Sequence, residues 1–285
     1  MKTMTKILCG LMIVPAVNVA YADMANSIPS CYQANHYKFA SAPYTKLAYV
    51  LLDQTVKLDP DLQKSVLENA NRLLGPGTKF VVAQFSAFSE QRYLSVVKEG
   101  VIENPMTKDQ RDNVPVKSLG AFDACMQGQA EFASKTVDNA INGSMAASTN
   151  DLSQSDIWLA LKNVSSSIAA DPAKQKVLFV ITDGLENSSI SSFYNKTTVR
   201  VINPAEEIAK ARQNNMFGNF GGAKVYVLGA GTMPPAKAGS KAEVNGYRDP
   251  KTLQALQAFW SQYFQMSHAQ LVEFGAPALV SPVGY

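Results

Sequence analysis

Histidine and cysteine are scarce in this 285-residue chain, which has two histidines and three cysteines. Neither His36 nor His268 has a partner at metal-ligand spacing, and neither lies in a motif beside a serine or cysteine nucleophile. The sequence therefore contains no signal for a histidine-based metal site or a catalytic triad, and we expect a protein that is not an enzyme. A metal-dependent hydrolase that uses aspartates stays open as an alternative.

A strong excess of charge is also missing. Lysine and arginine number 26 and the acidic residues 23, for a formal net charge of +3. The first 22 residues hold two lysines and no acidic residue, so the remainder has 26 − 2 = 24 basic and 23 acidic residues, a net charge of +1. No basic run or stripe is present, so we expect no nucleic-acid partner.

Long apolar runs are absent after the first residues, because no later stretch approaches the roughly 18 apolar residues of a membrane span. At the start, two lysines precede a short apolar stretch at 7–19, and residues 20–22 have the small-x-small pattern of a cleavage site. We therefore expect a signal peptide over 1–22, cleavage after Ala22, and a periplasmic or secreted protein without a membrane span. A retained N-terminal anchor is the alternative.

Two cysteines remain after that cleavage, Cys31 and Cys125. In an oxidising compartment an even pair suggests one disulfide, here closing a loop of about 94 residues. It would tie an N-terminal arm, expected over 23–45, to the middle of the chain. Two unpaired buried thiols are the alternative.

The main positive feature is a pair of apolar runs that each end on an aspartate. Residues 47–52 lead into Asp53, and residues 177–182 lead into Asp183. Apolar runs without polar alternation predict strands buried on both faces of a parallel sheet. If the two strands are neighbours, both aspartates lie at the edge where open α/β sheets place their ligands. Together with the hydroxyl of Thr55, they suggest a hard cation.

Strands and helices alternate along the rest of the chain, which predicts a doubly wound, mostly parallel α/β sheet flanked by helices. The less regular segment 100–152 is expected to be an insertion, with a helix from Ser118 to about Ile141. A C-terminal tail is expected over 277–285. Further strands are expected at 80–85, 93–98, 224–229 and 270–274, and helices at 60–74, 155–170, from 204 and from 250.

In this order the motifs resemble the von Willebrand factor A (vWA) family, over about residues 45–275. The resemblance implies one vWA-like domain at 46–276 with a Rossmann-like sheet. It rests on four segments in a fixed order: 53–55, 155–161, 180–184 and 225–229.

The resemblance also implies a metal ion-dependent adhesion site, whose first loop has the pattern D-x-S-x-S. Asp53 matches its first position and Thr55 its second, whereas Lys57 stands at the third. Ser155 matches the second-loop threonine, and Asp183 matches the third-loop aspartate. Such a site would hold Mg²⁺ or Mn²⁺ through oxygen ligands and water.

Two features of this match leave alternatives open. On the second loop, Asp156 or Ser153 could take the place of Ser155. On the first loop, the ammonium of Lys57 could replace the ion with an internal salt bridge. Alternatively, Lys57 points to solvent and the ion has one ligand fewer.

The resemblance implies an exported domain that mediates protein–protein interaction or adhesion through this edge of the sheet, using a divalent cation where the metal binds. The edge is expected to be rimmed by residues 185–187 and by the 100–152 segment. A structural subunit of an envelope, secretion or conjugation assembly, with a vestigial metal site, is the alternative from another class.

Overall fold

A computed structural model describes residues 26–86, 94–149, 155–195, 198–232 and 249–285. The predicted signal peptide and Ser153 lie outside these ranges. Within them, no helix combines the length and the apolar composition that crossing a bilayer requires.

Eight strands are present in the described residues, and six of them form one sheet with the order β3-β2-β1-β4-β7-β8. All neighbours in this sheet are parallel except β2 and β3, which form an antiparallel pair. The predicted mostly parallel α/β sheet is therefore confirmed. The strands are β1 Lys46–Asp53, β2 Thr78–Phe85, β3 Leu94–Ile102, β4 Gln175–Ile181, β5 Tyr194–Asn195, β6 Thr198–Val199, β7 Lys224–Leu228 and β8 Gln270–Phe274.

The strand order reverses beside β1, because the chain runs outward through β2 and β3 and then returns to β4 on the other side of β1. The parallel register pairs Leu52 with Ile181. The residues that follow each of these, Asp53 and Thr182, therefore meet at one edge. Reversals of this kind form the crevice in which open α/β sheets bind ligands. We call it the carboxyl edge, formed by the ends of β1 and β4 and the loops that follow them.

Several helices begin at the positions that local chemistry predicts. The side chains of Asp59, Asn203 and Asp249 each accept a backbone N–H at a helix start, and each is followed by proline at the first helical position. The helices are α1 Cys31–Ala34, α2 Pro60–Arg72, α3 Lys108–Asp112, α4 Val116–Ala146, α5 Ile157–Ala170, α6 Pro204–Gln213 and α7 Pro250–Met266.

The helices cover both faces of the sheet. Alternate residues of β1 point to opposite sides: Leu51 packs in a core with α5, α6 and α7, whereas Val50 packs in a core with α2 and α4. This two-sided burial is the reason that the run at 47–52 lacks polar alternation. The aromatic residues of α7 belong to the first core: Phe259, Trp260, Tyr263 and Phe264.

Helix α4 is longer than its sequence indicates. The pattern predicted an end near Ile141, yet the helix continues to Ala146 through an Asn-Gly pair. Glycine costs about 1 kcal/mol in a helix interior. Met145, one turn beyond Ile141, packs against the core between α4 and the sheet, and this apolar contact offsets the cost. Residues 100–102 complete β3, and α4 packs on three strands and on α2. Much of the 100–152 segment, which was expected to be an insertion, therefore belongs to the sheet or packs on it.

The N-terminal arm packs at the opposite edge of the molecule from Asp53. Cys31 and Cys125 form a disulfide, so the expected pairing is confirmed. The ring of Tyr32 packs edge-on against Phe122 of α4, and its hydroxyl donates to the carbonyl of Asn104, 2.9 Å away, just beyond the end of β3. Because β3 is antiparallel to β2, its end lies beside the start of β2.

The C-terminal segment 277–285 packs on the core beside α2. Val283 is buried there, and its N–H donates to Oδ1 of Asn69 at 2.9 Å. The hydroxyl of Tyr285 donates to the carbonyl of Leu73 at 3.1 Å. The segment therefore covers part of a sheet face, a role that its lack of a periodic pattern did not indicate.

Candidate metal site at the carboxyl edge of the sheet

Asp53 is the centre of the carboxyl edge. Its side chain is buried, with 2% of the residue exposed. Oδ1 accepts hydrogen bonds from the backbone N–H and the hydroxyl of Thr55, at 2.9 and 2.6 Å. Oδ2 accepts hydrogen bonds from the hydroxyls of Ser155, at 3.1 Å, and Thr182, at 2.8 Å. One carboxylate therefore joins three loops, and the structure brings together three of the predicted site residues.

Thr182 is a site residue that sequence analysis did not single out. It ends the second apolar run, so its hydroxyl was counted as part of a strand. Besides donating to Asp53, this hydroxyl accepts the N–H of Gly184 at 3.2 Å. The available signal was its position, since a threonine directly before an aspartate at a strand end places both polar side chains at the same edge.

Asp183 lies beside this network and is 8% exposed. Its Oδ1 accepts the N–H of Leu185 at 2.9 Å, and its Oδ2 lies 3.4 Å from the hydroxyl of Tyr194, which donates to it. Burial raises the pKa of Asp183 well above the usual range for aspartate, and the negative charge of Asp53 raises it further. The two buried carboxylates are therefore close enough to repel each other.

Burial also raises the pKa of Asp53, although the hydrogen bonds from Thr55, Thr182 and Ser155 act in the opposite direction. Among the described residues, no lysine, arginine or histidine forms an ion pair with either aspartate. Lys57 is exposed to solvent at the surface of the first loop. Within the described ranges, the two carboxylates are therefore surrounded by neutral hydroxyl and N–H donors and not by a positive charge.

Gly184 makes the turn that follows Asp183. Its φ angle is +75°, in the left-handed region that favours glycine. A Cβ atom at this position would lie 3.1 Å from Nε1 of Trp260, which donates a hydrogen bond to the Gly184 carbonyl at 3.0 Å. The Asp-Gly pair therefore turns the chain back into the protein.

That turn corrects the expected rim of the edge. Leu185 and Glu186 are buried, so they present no binding surface. The reason is that Glu186 turns inward and its Oε2 accepts the N–H of Trp158, in the first turn of α5, at 3.0 Å. Of the 100–152 segment, the end of the α4 region reaches the edge, where the N–H of Thr149 donates to the carbonyl of Gln54 at 2.9 Å.

The second loop is held to the third by its main chain. Ser155 and Asn187 exchange two backbone hydrogen bonds, both of 3.0 Å. Asp156 occupies the N-cap position of α5, but its side chain does not cap that helix. Of the two hydroxyl-bearing candidates on this loop, Ser155 reaches Asp53, whereas Ser153 lies outside the described residues.

The oxygen atoms around Asp53 and Asp183 form a donor set of the kind that divalent cations bind. Two buried carboxylates and the hydroxyls around Asp53 supply only oxygen, which suits Mg²⁺ or Mn²⁺ and does not suit soft metals. In the described part of the chain, no three residues among histidine, cysteine, aspartate and glutamate cluster as a ligand set. A cation here would therefore rely on hydroxyls and water, as Mg²⁺ commonly does. The residues fit such an ion, with Lys57 contributing no ligand.

No family model matches this chain. No curated protein matches it either. Among solved structures, the chain is similar to an aerotolerance-related membrane protein from Bacteroides fragilis NCTC 9343 with multiple mutations to serines. The identity is 17%, the match covers 81% of this chain and 91% of that chain, and the TM-score is 0.35. A similarity of this size carries no conclusion about function.

Proposed function

We propose that this protein is exported and binds a protein partner through its carboxyl edge, using Mg²⁺ or Mn²⁺ held by Asp53, Thr55, Ser155 and Asp183. The observation that carries the proposal is the pair of buried aspartates, surrounded by hydroxyl oxygens and without a basic partner among the described residues. A bound cation would balance their charge and accept a carboxylate from the partner. Export rests on the signal-peptide pattern of the first 22 residues.

The proposed activity is binding and not catalysis. Hydrolysis at this edge would need a group that moves a proton, and histidine is the side chain that most often does so. His36 follows α1 in the N-terminal arm, and His268 lies between α7 and the start of β8. Both are therefore remote from the carboxyl ends of β1 and β4.

A specific observation favours a second candidate, a structural subunit with a vestigial site. Both carboxylate oxygens of Asp53 already accept two hydrogen bonds each, so this side chain is satisfied without an ion. Lys57 replaces a ligand of the family pattern. In this candidate the partner contacts lie elsewhere, and the hydroxyl network alone holds the three loops together.

Thermal melting with and without MgCl₂ or MnCl₂ separates the two candidates. Metal at 100 times its dissociation constant should stabilise the wild type by about 2.7 kcal/mol. Asp183→Asn should remove this response while the protein still folds, because it deletes one of two mutually repelling carboxylates. Asp123→Asn is the control, since Asp123 is an exposed residue paired with Arg111. No response of the wild type at millimolar metal would favour the vestigial site.

Partner binding needs its own experiment. The tagged mature protein would be used to capture proteins from the exported fraction, with and without EDTA. We expect a captured protein that EDTA releases and that Asp183→Asn fails to retain. Capture that survives both changes would place the contact surface away from the carboxyl edge.

A further inference from the structure

Glu186 is a buried carboxylate that the proposed metal site does not use. It follows Asp183 by three residues and is 1% exposed. Within the described part of the chain it has no basic ion-pair partner. Burial raises its pKa to about 8. Burial of a carboxyl group lowers stability unless hydrogen bonds satisfy its oxygen atoms.

Those hydrogen bonds hold the start of α5. The first N–H groups of a helix have no partner inside the helix and usually bond to the side chain of the N-cap residue. Here Asp156 occupies the N-cap position without capping. Glu186, 28 residues further along the chain, accepts the N–H of Trp158 at 3.0 Å instead. The cap of α5 therefore comes from the third loop of the site.

The main chain around Glu186 strengthens this connection. Its carbonyl accepts the N–H of Phe193 at 2.8 Å, and the Phe193 ring packs edge-on against Trp158. The next residue, Asn187, pairs with Ser155 through two backbone hydrogen bonds. The side chain and the main chain of one short segment thus hold the residues on either side of the α5 start.

We propose that Glu186 is a positioning residue, which holds Ser155 of the second loop in register with Asp183 of the third loop and thereby sets the affinity of the edge for a divalent cation. Glu186 itself need not touch the ion. This inference rests on the proposed function, because its main measurable consequence is metal affinity.

Calorimetric titration with MgCl₂ tests the inference on the mature protein. Glu186→Ala should weaken binding about 10- to 100-fold, the usual effect of losing a residue that orients a metal ligand. Glu186→Gln should restore binding to within a few-fold, since its amide oxygen can still accept the Trp158 N–H. Glu186→Met keeps the volume without the acceptor and replaces the alanine variant if that variant does not fold.

Asp171→Ala is the matched control, because Asp171 caps the other end of α5. Its carboxylate accepts the N–H of Ala173 at 2.9 Å and forms an ion pair with Lys79 at 3.4 Å. This variant should lose stability and keep the MgCl₂ affinity of the wild type. Wild-type affinity in Glu186→Ala, or an equal loss in Asp171→Ala, would overturn the inference.

Amide hydrogen exchange separates a failure of this inference from a failure of the proposed function. In Glu186→Ala, the amides of Ser155, Trp158 and Asn187 should exchange faster, whereas Asp171→Ala should leave them unchanged. A wild type that does not bind MgCl₂ overturns the proposed function. In that case faster exchange still supports the coupling of the two loops, and unchanged exchange overturns it.

Discussion

The hydroxyl of Thr182 donates a 2.8 Å hydrogen bond to Oδ2 of Asp53 and so joins the carboxyl ends of β1 and β4. The two residues are 129 positions apart in the chain, and the parallel register of the two strands brings them side by side. Ser155 donates to the same oxygen. The carboxyl edge is therefore organised around one buried carboxylate.

Replacing Thr182 by valine should destabilise the protein. The substitution keeps the shape of the side chain but removes one donor to a buried carboxylate, and hydrogen bonds to charged groups contribute about 1.5–3 kcal/mol. Urea unfolding at pH 7 measures the loss. Thr136→Val is the control, because the Thr136 hydroxyl donates only to the carbonyl of Phe132 within α4. That change should stay within about 0.5 kcal/mol, and equal effects of the two variants would contradict the role of Thr182.

Lys57→Ser should tighten metal binding. The variant removes an exposed positive charge from the first loop and supplies a hydroxyl where the vWA pattern that this loop resembles has one. We expect a larger rise in melting temperature at a fixed MgCl₂ concentration than in the wild type. Lys64→Ser, at an exposed position of α2, should leave the response unchanged. A Lys57→Ser protein with the wild-type response would show that this position does not contribute to the site.

Glu207→Gln should destabilise the protein at neutral pH more than at acid pH. Glu207 is 0% exposed and accepts hydrogen bonds from Ser191, Arg200 and Lys210 at 2.5, 2.7 and 2.9 Å. Burial alone raises the pKa of Glu207, but these three hydrogen bonds outweigh it and leave the pKa below its ordinary value. The ionised side chain therefore stabilises the fold, and its replacement should cost about 1.5–3 kcal/mol.

The sign of the pH dependence follows from the lowered pKa. The contribution of Glu207 is complete above the unfolded-state value of about 4.3 and is lost as the pH falls through the lower folded-state value. The difference in unfolding free energy between wild type and Glu207→Gln should thus stay constant from about pH 6 to about pH 7, where the carboxylate is fully ionised in both states. The difference should shrink below about pH 4. A difference that grows on acidification would contradict this assignment.

Removing the disulfide should lower stability without affecting the carboxyl edge. The bond between Cys31 and Cys125 closes a loop of 94 residues, which can contribute about 4 kcal/mol by restricting the unfolded chain. The double variant with serine at both positions should show this loss in urea unfolding. Its melting response to MgCl₂ should equal that of the wild type, since the arm packs at the opposite edge of the molecule. A changed response would indicate that the two edges are coupled.

Much of the fold could be predicted because local chemistry and periodicity agree with the tertiary structure. The two-sided apolar run at 47–52 required a buried parallel strand, and the caps at Asp59 and Asp249 required helices at the observed positions. The end of α4 could not be predicted, because packing of Met145 against the core outweighs a local stop signal. The packing of residues 277–285 on the core could not be predicted either, because that segment has no periodic apolar pattern.

The sequence by itself nominated the residues of the proposed site. Asp53, Thr55, Ser155 and Asp183 stand at strand ends and a helix start, and their residue types and order were sufficient to nominate them. Only the tertiary structure decided how they are connected. Hydrogen bonds between distant residues depend on strand register and on the inward turn after Gly184, so the donor role of Thr182 and the cap provided by Glu186 could not be read from local sequence.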